Sequence, residues 1–315
     1  MIPPRPGPSA HLRRPISFAP MPQQNKTAAH TAELTFLGTG TSEGVPRVSC
    51  LTRRPPTCRV CVSALQPGSK NRRRNTSLLL RYAHPDRRTR NLVIDTGKFF
   101  WQSAIDWFPM LRVTTIDAVL LTHAHTDAVG GLDDLRDWTN HLQSTIPIYL
   151  RQQDLEVVGK LFFYLVNTDQ ATGGGGVARL DFRTITNTPF TVEGVRFTPL
   201  PVWHGRPYSA HGFRFGSVAY VSDASEIPAE TERLMTGARL LILDALRPER
   251  PHRSHMILEQ SLEVVRRLRP ERTLLTDMTH DYDHDAANRD LAALRQSEGL
   301  DVQLAYDGLR IPVTL

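Results

Sequence analysis

The sequence predicts an α/β fold in which two β-sheets are sandwiched between helices. Short apolar runs of strand length alternate with longer amphipathic stretches. These runs fall into two strand-rich halves, each closed by helices. Acids or histidines follow the apolar runs repeatedly, as they do where strand ends meet at a sheet rim. The chain has 315 residues, 40% apolar and 22% charged, enough to bury a large core.

The order of elements follows from the same signals. Residues 1–31 are proline-rich and free of acids, a composition that builds no core, so a disordered basic extension is expected there. An acid-free leader directed to mitochondria is the alternative, opposed by its prolines. Residues 32–315 are expected to form the folded domain. Glu33–Leu37 reads as a strand that turns at Gly38-Thr-Gly40, and a basic, Cys-bearing loop covers 46–75. Ser77–Tyr82 and Asn91–Ile94 read as a hairpin, Phe99–Phe108 as a helix, and Ile116–Leu121 as a strand. A helix over Leu132–His141, a strand over Ile146–Leu150 and a helix over 153–166 follow, then a glycine-rich loop over Asn167–Val177. Strands are expected at Val195–Pro199, Gly212–Phe215, Val218–Val221, Leu240–Leu243, Thr273–Leu275 and Val302–Ala305, with a helix over Met256–Leu268.

Charge is unevenly placed. Residues 1–85 carry a balance of +11, and the remainder −5. We read this as a basic tail and one basic loop. No aromatics interleave with Arg72-Arg73-Arg74, which argues against a nucleic-acid partner. The longest apolar run, Leu161–Val166, is far short of the roughly 20 residues of a membrane helix, so no membrane partner is expected. Three cysteines make no disulfide framework and point to a reducing compartment, the cytoplasm.

The chemistry-bearing residues are Asp95, His123/His125/Asp127, His204, Asp223 and Asp277/His280, each just past an apolar strand. His123-x-His125 puts two imidazoles on one side of an extended segment, where they can grip one cation. His204 and Asp223, from separate strands, would complete a nitrogen and oxygen shell suited to zinc, iron or manganese. Cys50, Cys58 and Cys61 offer three thiolates from one loop, one short of a tetrahedral structural zinc site, or else three buried or surface thiols. Asp244 ends an apolar run with no partner visible in the sequence.

Thr122-His-Ala-His-Thr-Asp-Ala-Val-Gly-Gly131, with Asp95-Thr-Gly97 upstream, resembles the signature of the metallo-β-lactamase superfamily. The opening Leu37-Gly-Thr-Gly-Thr-Ser-Glu-Gly-Val-Pro46 is similar to the branch of the phosphoribosyl 1,2-cyclic phosphate phosphodiesterase, near the ribonuclease Z group. The resemblance, over about 33–312, implies a four-layer αββα sandwich with two divalent ions, zinc or manganese, at the active site. It implies a first ion on His123, His125 and His204, and Asp223 bridging to a second. The second ion would fall to Asp127, Asp223 and Asp277, because position 128 is Ala where the signature has His, and Asp277 stands for a late His. That all-oxygen set favours a harder ion such as manganese or magnesium, hence a mixed pair or, as the alternative, one tight ion with a weak second. The resemblance further implies His280 as the fourth ligand of the cysteine zinc site. His255 would face the scissile phosphate, His255 and Asp127 being the catalytic residues, and Asp95 would orient ligand histidines.

The function expected from this is hydrolysis of a small phosphodiester, cyclic ones included, by a metal-activated water, with Arg72–Arg74 as a basic rim. Lactonase or thioesterase chemistry would use the same fold. A non-catalytic, metal-stabilised binding protein is the reading favoured by Ala128 and Asp277. A homodimer is a further expectation, since superfamily members often pair.

Overall fold

The computed structural model describes residues 31–167 and 176–315. The expected disordered extension lies outside the described residues except for Thr31, which opens the first strand, and most of the glycine-rich loop also lies outside them.

The first sheet contains Thr31–Gly38 (β1), Ser77–Ala83 (β2), Thr89–Ile94 (β3), Ala118–Leu120 (β4), Ile146–Arg151 (β5) and Leu180–Ile185 (β6). The second contains Phe190–Val192 (β7), Val195–Trp203 (β8), Ser209–Phe215 (β9), Val218–Val221 (β10), Leu240–Asp244 (β11), Arg272–Thr276 (β12) and Val302–Leu304 (β13). Arg310–Thr314 (β14) returns to the first sheet beside β1. The orders are β14-β1-β2-β3-β4-β5-β6 and β13-β12-β11-β10-β9-β8-β7. In each sheet the strands from β14 to β3, or from β7 to β10, are antiparallel, and the rest are parallel.

Period-two alternation decides the layers. Leu78, Leu80, Leu92, Ile94 and Leu120 point into the space between the sheets, where they meet Phe197, Phe213, Tyr220, Ile242 and Leu274. Their neighbours Leu79, Val93, Val119 and Leu121 face outward onto helices Phe100–Leu111, Arg136–His141 and Gln152–Leu161. On the second sheet, Ala219, Val221, Leu241, Leu243 and Leu275 pack onto helices Ala229–Met235, Leu258–Leu268 and His284–Ser297. The result is the αββα sandwich. Among the described residues, no helix is long and apolar enough to cross a membrane.

The structure adds elements that the sequence pattern does not announce. β6, β7 and β14 lie at or near sheet edges, where half-exposed faces tolerate Asp181, Arg183 and Pro312 and blur the alternation. Helix His284–Ser297 buries only His284 and Leu291, so its apolar stripe is thin. The expected basic rim at Arg72–Arg74 is corrected outright. Only Arg72 is exposed. Arg73 is buried and donates to the carbonyls of Thr279 and Tyr282, while buried Arg74 pairs with Asp106 and lies near Asp307. Arg73 ties the cysteine loop to the segment after β12, and Arg74 ties it to helix Phe100–Leu111, instead of facing substrate.

Phe213 sits in the inter-sheet layer against Phe190 and Phe197. Phe213→Ala is expected to cost about 3–5 kcal/mol, read from urea unfolding at fixed metal concentration. A loss below about 1 kcal/mol would show that the layer is not tightly packed.

Candidate metal centre

The carboxyl ends of six strands, three of them parallel neighbours in the second sheet, deliver the site. Asp95 follows β3, His123 follows β4, His204 follows β8, Asp223 follows β10, Asp244 ends β11 and Asp277 follows β12. Asp95 and Asp277 both take left-handed backbone conformations, φ 63° and 59°, which turn the chain sharply off the strand. Gly97 then lets two loops touch. A Cβ there would stand 2.0 Å from the carbonyl oxygen of Asp127, so only glycine allows the loop after β3 to lie against the His125–Asp127 turn.

Hydrogen bonds aim the histidines. Nδ1 of His123 donates to Thr122 Oγ1 at 2.9 Å, and that hydroxyl donates to Asp95 Oδ2 at 2.9 Å. Asp95 thus orients His123 through Thr122 and leaves Nε2 free. Nδ1 of His204 donates to the carbonyl of Ser254 at 2.7 Å, and its Nε2 lies 3.1 Å from His125 Nδ1. His125 is stacked on Tyr208, with ring centroids 4.7 Å apart, and the Tyr208 hydroxyl accepts from the Ala124 amide.

Ligand atoms of His123, His125 and His204 lie within 4.8 Å of one another. His123 Nε2 and Asp127 Oδ1 are buried without hydrogen-bond partners, 3.6 Å apart. Unpaired lone pairs at such spacing fit a divalent cation, whose tetrahedral nitrogen ligands stand about 3.3 Å apart. Asp223 Oδ1 is 3.9 Å from His123 Nε2. The expected second set is not assembled in the same way. Among the described residues, Asp127, Asp223 and Asp277 form no such group; the others are His204/Asp223/His255, Asp244/His255/Asp277 and the cysteine cluster.

His255 stands at the centre of those two groups. Its Nδ1 donates to Asp244 Oδ2 at 3.0 Å and lies 3.0 Å from Asp277 Oδ2. Burial opposes its charge, but the two carboxylates outweigh that and push its pKa up to about 12. Burial raises Asp244 to about 6, His255 opposing the rise, and burial beside Asp223 raises Asp277 well above the usual range. Asp223, despite its burial, is drawn down to about 2 by His123, His204 and His255. Asp244, Tyr208 and Ser254 are the parts that sequence reasoning did not assign. Only Asp244 carried a signal, its place at the end of an apolar run, as with Asp277.

The cysteine loop closes on the same rim. Sγ atoms of Cys50, Cys58 and Cys61 lie 3.3, 3.4 and 3.3 Å from a single atom, Nδ1 of His280. A tetrahedral zinc ion has a sulfur-to-nitrogen edge of about 3.6 Å, so the four residues could hold one. The amides of Arg47 and Cys61 point at the Cys61 and Cys58 sulfurs, as they do toward thiolates.

An αββα sandwich with imidazoles and carboxylates gathered where strand ends meet defines the metallo-β-lactamase fold. The chain belongs to the beta-lactamase superfamily, whose domain pattern matches residues 90–278, and members of this fold family are mostly hydrolases. A diphosphatase of the PhnP family is 31% identical, with a TM-score of 0.73 over 89% of this chain and 97% of that one. Zinc-bound PqqB from Methylobacterium extorquens (20% identity, TM-score 0.67, 89% and 99% covered) shares the fold. So does human short-form tRNase Z (17%, 0.57, 89% and 98%). The octanoyltransferase of Porphyromonas gingivalis is 31% identical over 245 residues, 78% of this chain; the chain spans 45% of that protein's length.

Two outcomes are expected. Cys58→Ser should lose one zinc ion per chain by elemental analysis; an unchanged count would leave the cysteines as plain thiols. Gly97→Ala should weaken zinc binding in calorimetry at least tenfold by displacing the Asp127 turn, and unchanged affinity would show that the turn does not position the ligands.

Proposed function

We propose that this chain is a metal-dependent hydrolase of small phosphodiesters, cyclic ones included. The observation that carries the reading is the convergence of His123, His125, His204 and Asp223 at one rim. The chain's likeness along nearly its whole length to a PhnP-family diphosphatase supports it. His123, His125 and His204 would hold a divalent cation, zinc or manganese, with Asp223 and Asp127 beside it. Such a cation supplies a water deprotonated near neutral pH and a Lewis acid for phosphoryl oxygens.

The chain's own residues do the rest. Asp95, through Thr122, and the Ser254 carbonyl keep two ring nitrogens aimed inward. His255, its Nδ1 held by Asp244, keeps Nε2 as the group that gives a proton to the leaving oxygen. Exposed His125 marks the open side of the cluster. A cleft of about 590 Å³, lined by Gly205, Arg206, Ser225, Glu226, Arg253 and Ser254, opens beside His204; Glu226 pairs with Arg206 there, so Arg253 is the guanidinium it offers an anionic substrate.

Metal-stripped protein, reloaded separately with zinc and manganese, should hydrolyse bis(p-nitrophenyl) phosphate. His125→Ala should lower the rate at least a thousandfold. His255→Gln should lower it about 10²–10⁴-fold with the metal content of the His cluster retained, as for a proton donor. Metal-loaded, folded protein that leaves the phosphodiester intact would overturn the reading. Cleavage of p-nitrophenyl octanoate by that same protein would move it to acyl chemistry, the reading to which the similarity to an octanoyltransferase points.

A further inference from the structure

The place that a second active-site ion would need is filled by a side chain. Asp127, Asp223 and Asp277 were expected to hold that ion, and Asp127 and Asp277 are turned to something else. Asp127 presents Oδ1 to His123 Nε2 at 3.6 Å, on the side of the first ion. Asp277 presents Oδ2 to His255 Nδ1 at 3.0 Å. Position 128, next to Asp127, is an Ala with 1% exposure, packed with Phe100, Val129 and Leu132 in the outer core, so nothing there can turn inward as a ligand. His255 is the one residue common to the group with His204 and Asp223 and the group with Asp244 and Asp277. Its ring packs edge-on against His204, with centroids 4.7 Å apart.

We infer that the active centre holds a single divalent ion, on the His123/His125/His204 side, and that the imidazole of His255 occupies the room of a second one between Asp223 and the Asp244/Asp277 pair. This rests on the reading of the three histidines as metal ligands, but not on which ester is cleaved. Physically, three nearly dry carboxylates on one rim need a partner of opposite polarity. A ring donor shared among them meets that need without an ion, and the loss of an imidazole at positions 128 and 277 then follows. The catalytic burden of a second cation, the neutralisation of charge on the leaving side, passes to His255.

Manganese loading separates the cases, because thiolates at the cysteine cluster do not favour that ion. Full-length protein titrated with manganese should bind one ion per chain and show the six-line electron paramagnetic resonance spectrum of an isolated ion. Two ions with an exchange-coupled spectrum, the signature of a pair about 3.5–4 Å apart, would overturn the inference. His255→Ala opens the space among Asp223, Asp244 and Asp277, so its stoichiometry should rise to two and coupling should appear. A folded variant that stays at one ion would overturn the assignment of His255 as the occupant. The spectrum of the unaltered protein decides the ion count even where the variant fails to fold. Turnover with a coupled pair would sink this inference and leave the phosphodiesterase reading standing; an isolated ion without turnover would do the reverse.

Discussion

Buried carboxylates dictate the rest of this structure. Asp95, Asp223, Asp244 and Asp277 are between 0 and 6% exposed and lie at the ends of four different strands. A carboxylate so far from water is costly unless something positive or proton-donating faces it. Each has such a partner: Thr122 for Asp95, the histidines for Asp223, and His255 for Asp244 and Asp277. The histidines are in turn fixed by the partners that the acids leave them. The rim is therefore one coupled network, and moving any member exposes another to an unpaired neighbour.

A second network keeps that rim attached to both sheets. The loop of residues 46–75 leaves the first sheet and is anchored on the segment after β12. Asn71 donates to Asp283 and Arg73 to the carbonyls of Thr279 and Tyr282, while the three thiols meet His280. Gly40 bridges to Met278 beside them. Asp277 and His280 stand three residues apart, so one turn of chain serves the active rim and the cysteine cluster together. Of the arginines that make this loop look like an anion-binding surface, Arg73 and Arg74 are consumed in holding it down, while Arg53, Arg54, Arg59 and Arg72 are exposed.

The layers were largely legible from residue order. Strands that read as near-continuous apolar runs, such as β2, β3, β10 and β11, follow the predicted bounds closely because both faces are buried and each side chain has an assigned layer. The edge strands β6, β7 and β14 were not legible, since one half-wet face relaxes the pattern. The helix expected over 153–166 is real but broken at Phe162, and a stretch of one-dimensional pattern does not reveal such a break.

From the sequence alone came the sandwich, the motif-bearing strand ends and the residues of the histidine cluster. Most depend on local spacing: period two within a strand, two residues between His123 and His125, three between Cys58 and Cys61; His204 joined the cluster through the family resemblance. Tertiary structure decided which groups face one another across strands. It set Asp244 and Asp277 against His255, stacked Tyr208 on His125 and buried Arg73. Those pairings join residues brought together only by the crossing of loops at the rim, and their strength comes from the exclusion of water there, a property of the closed fold rather than of any segment of chain.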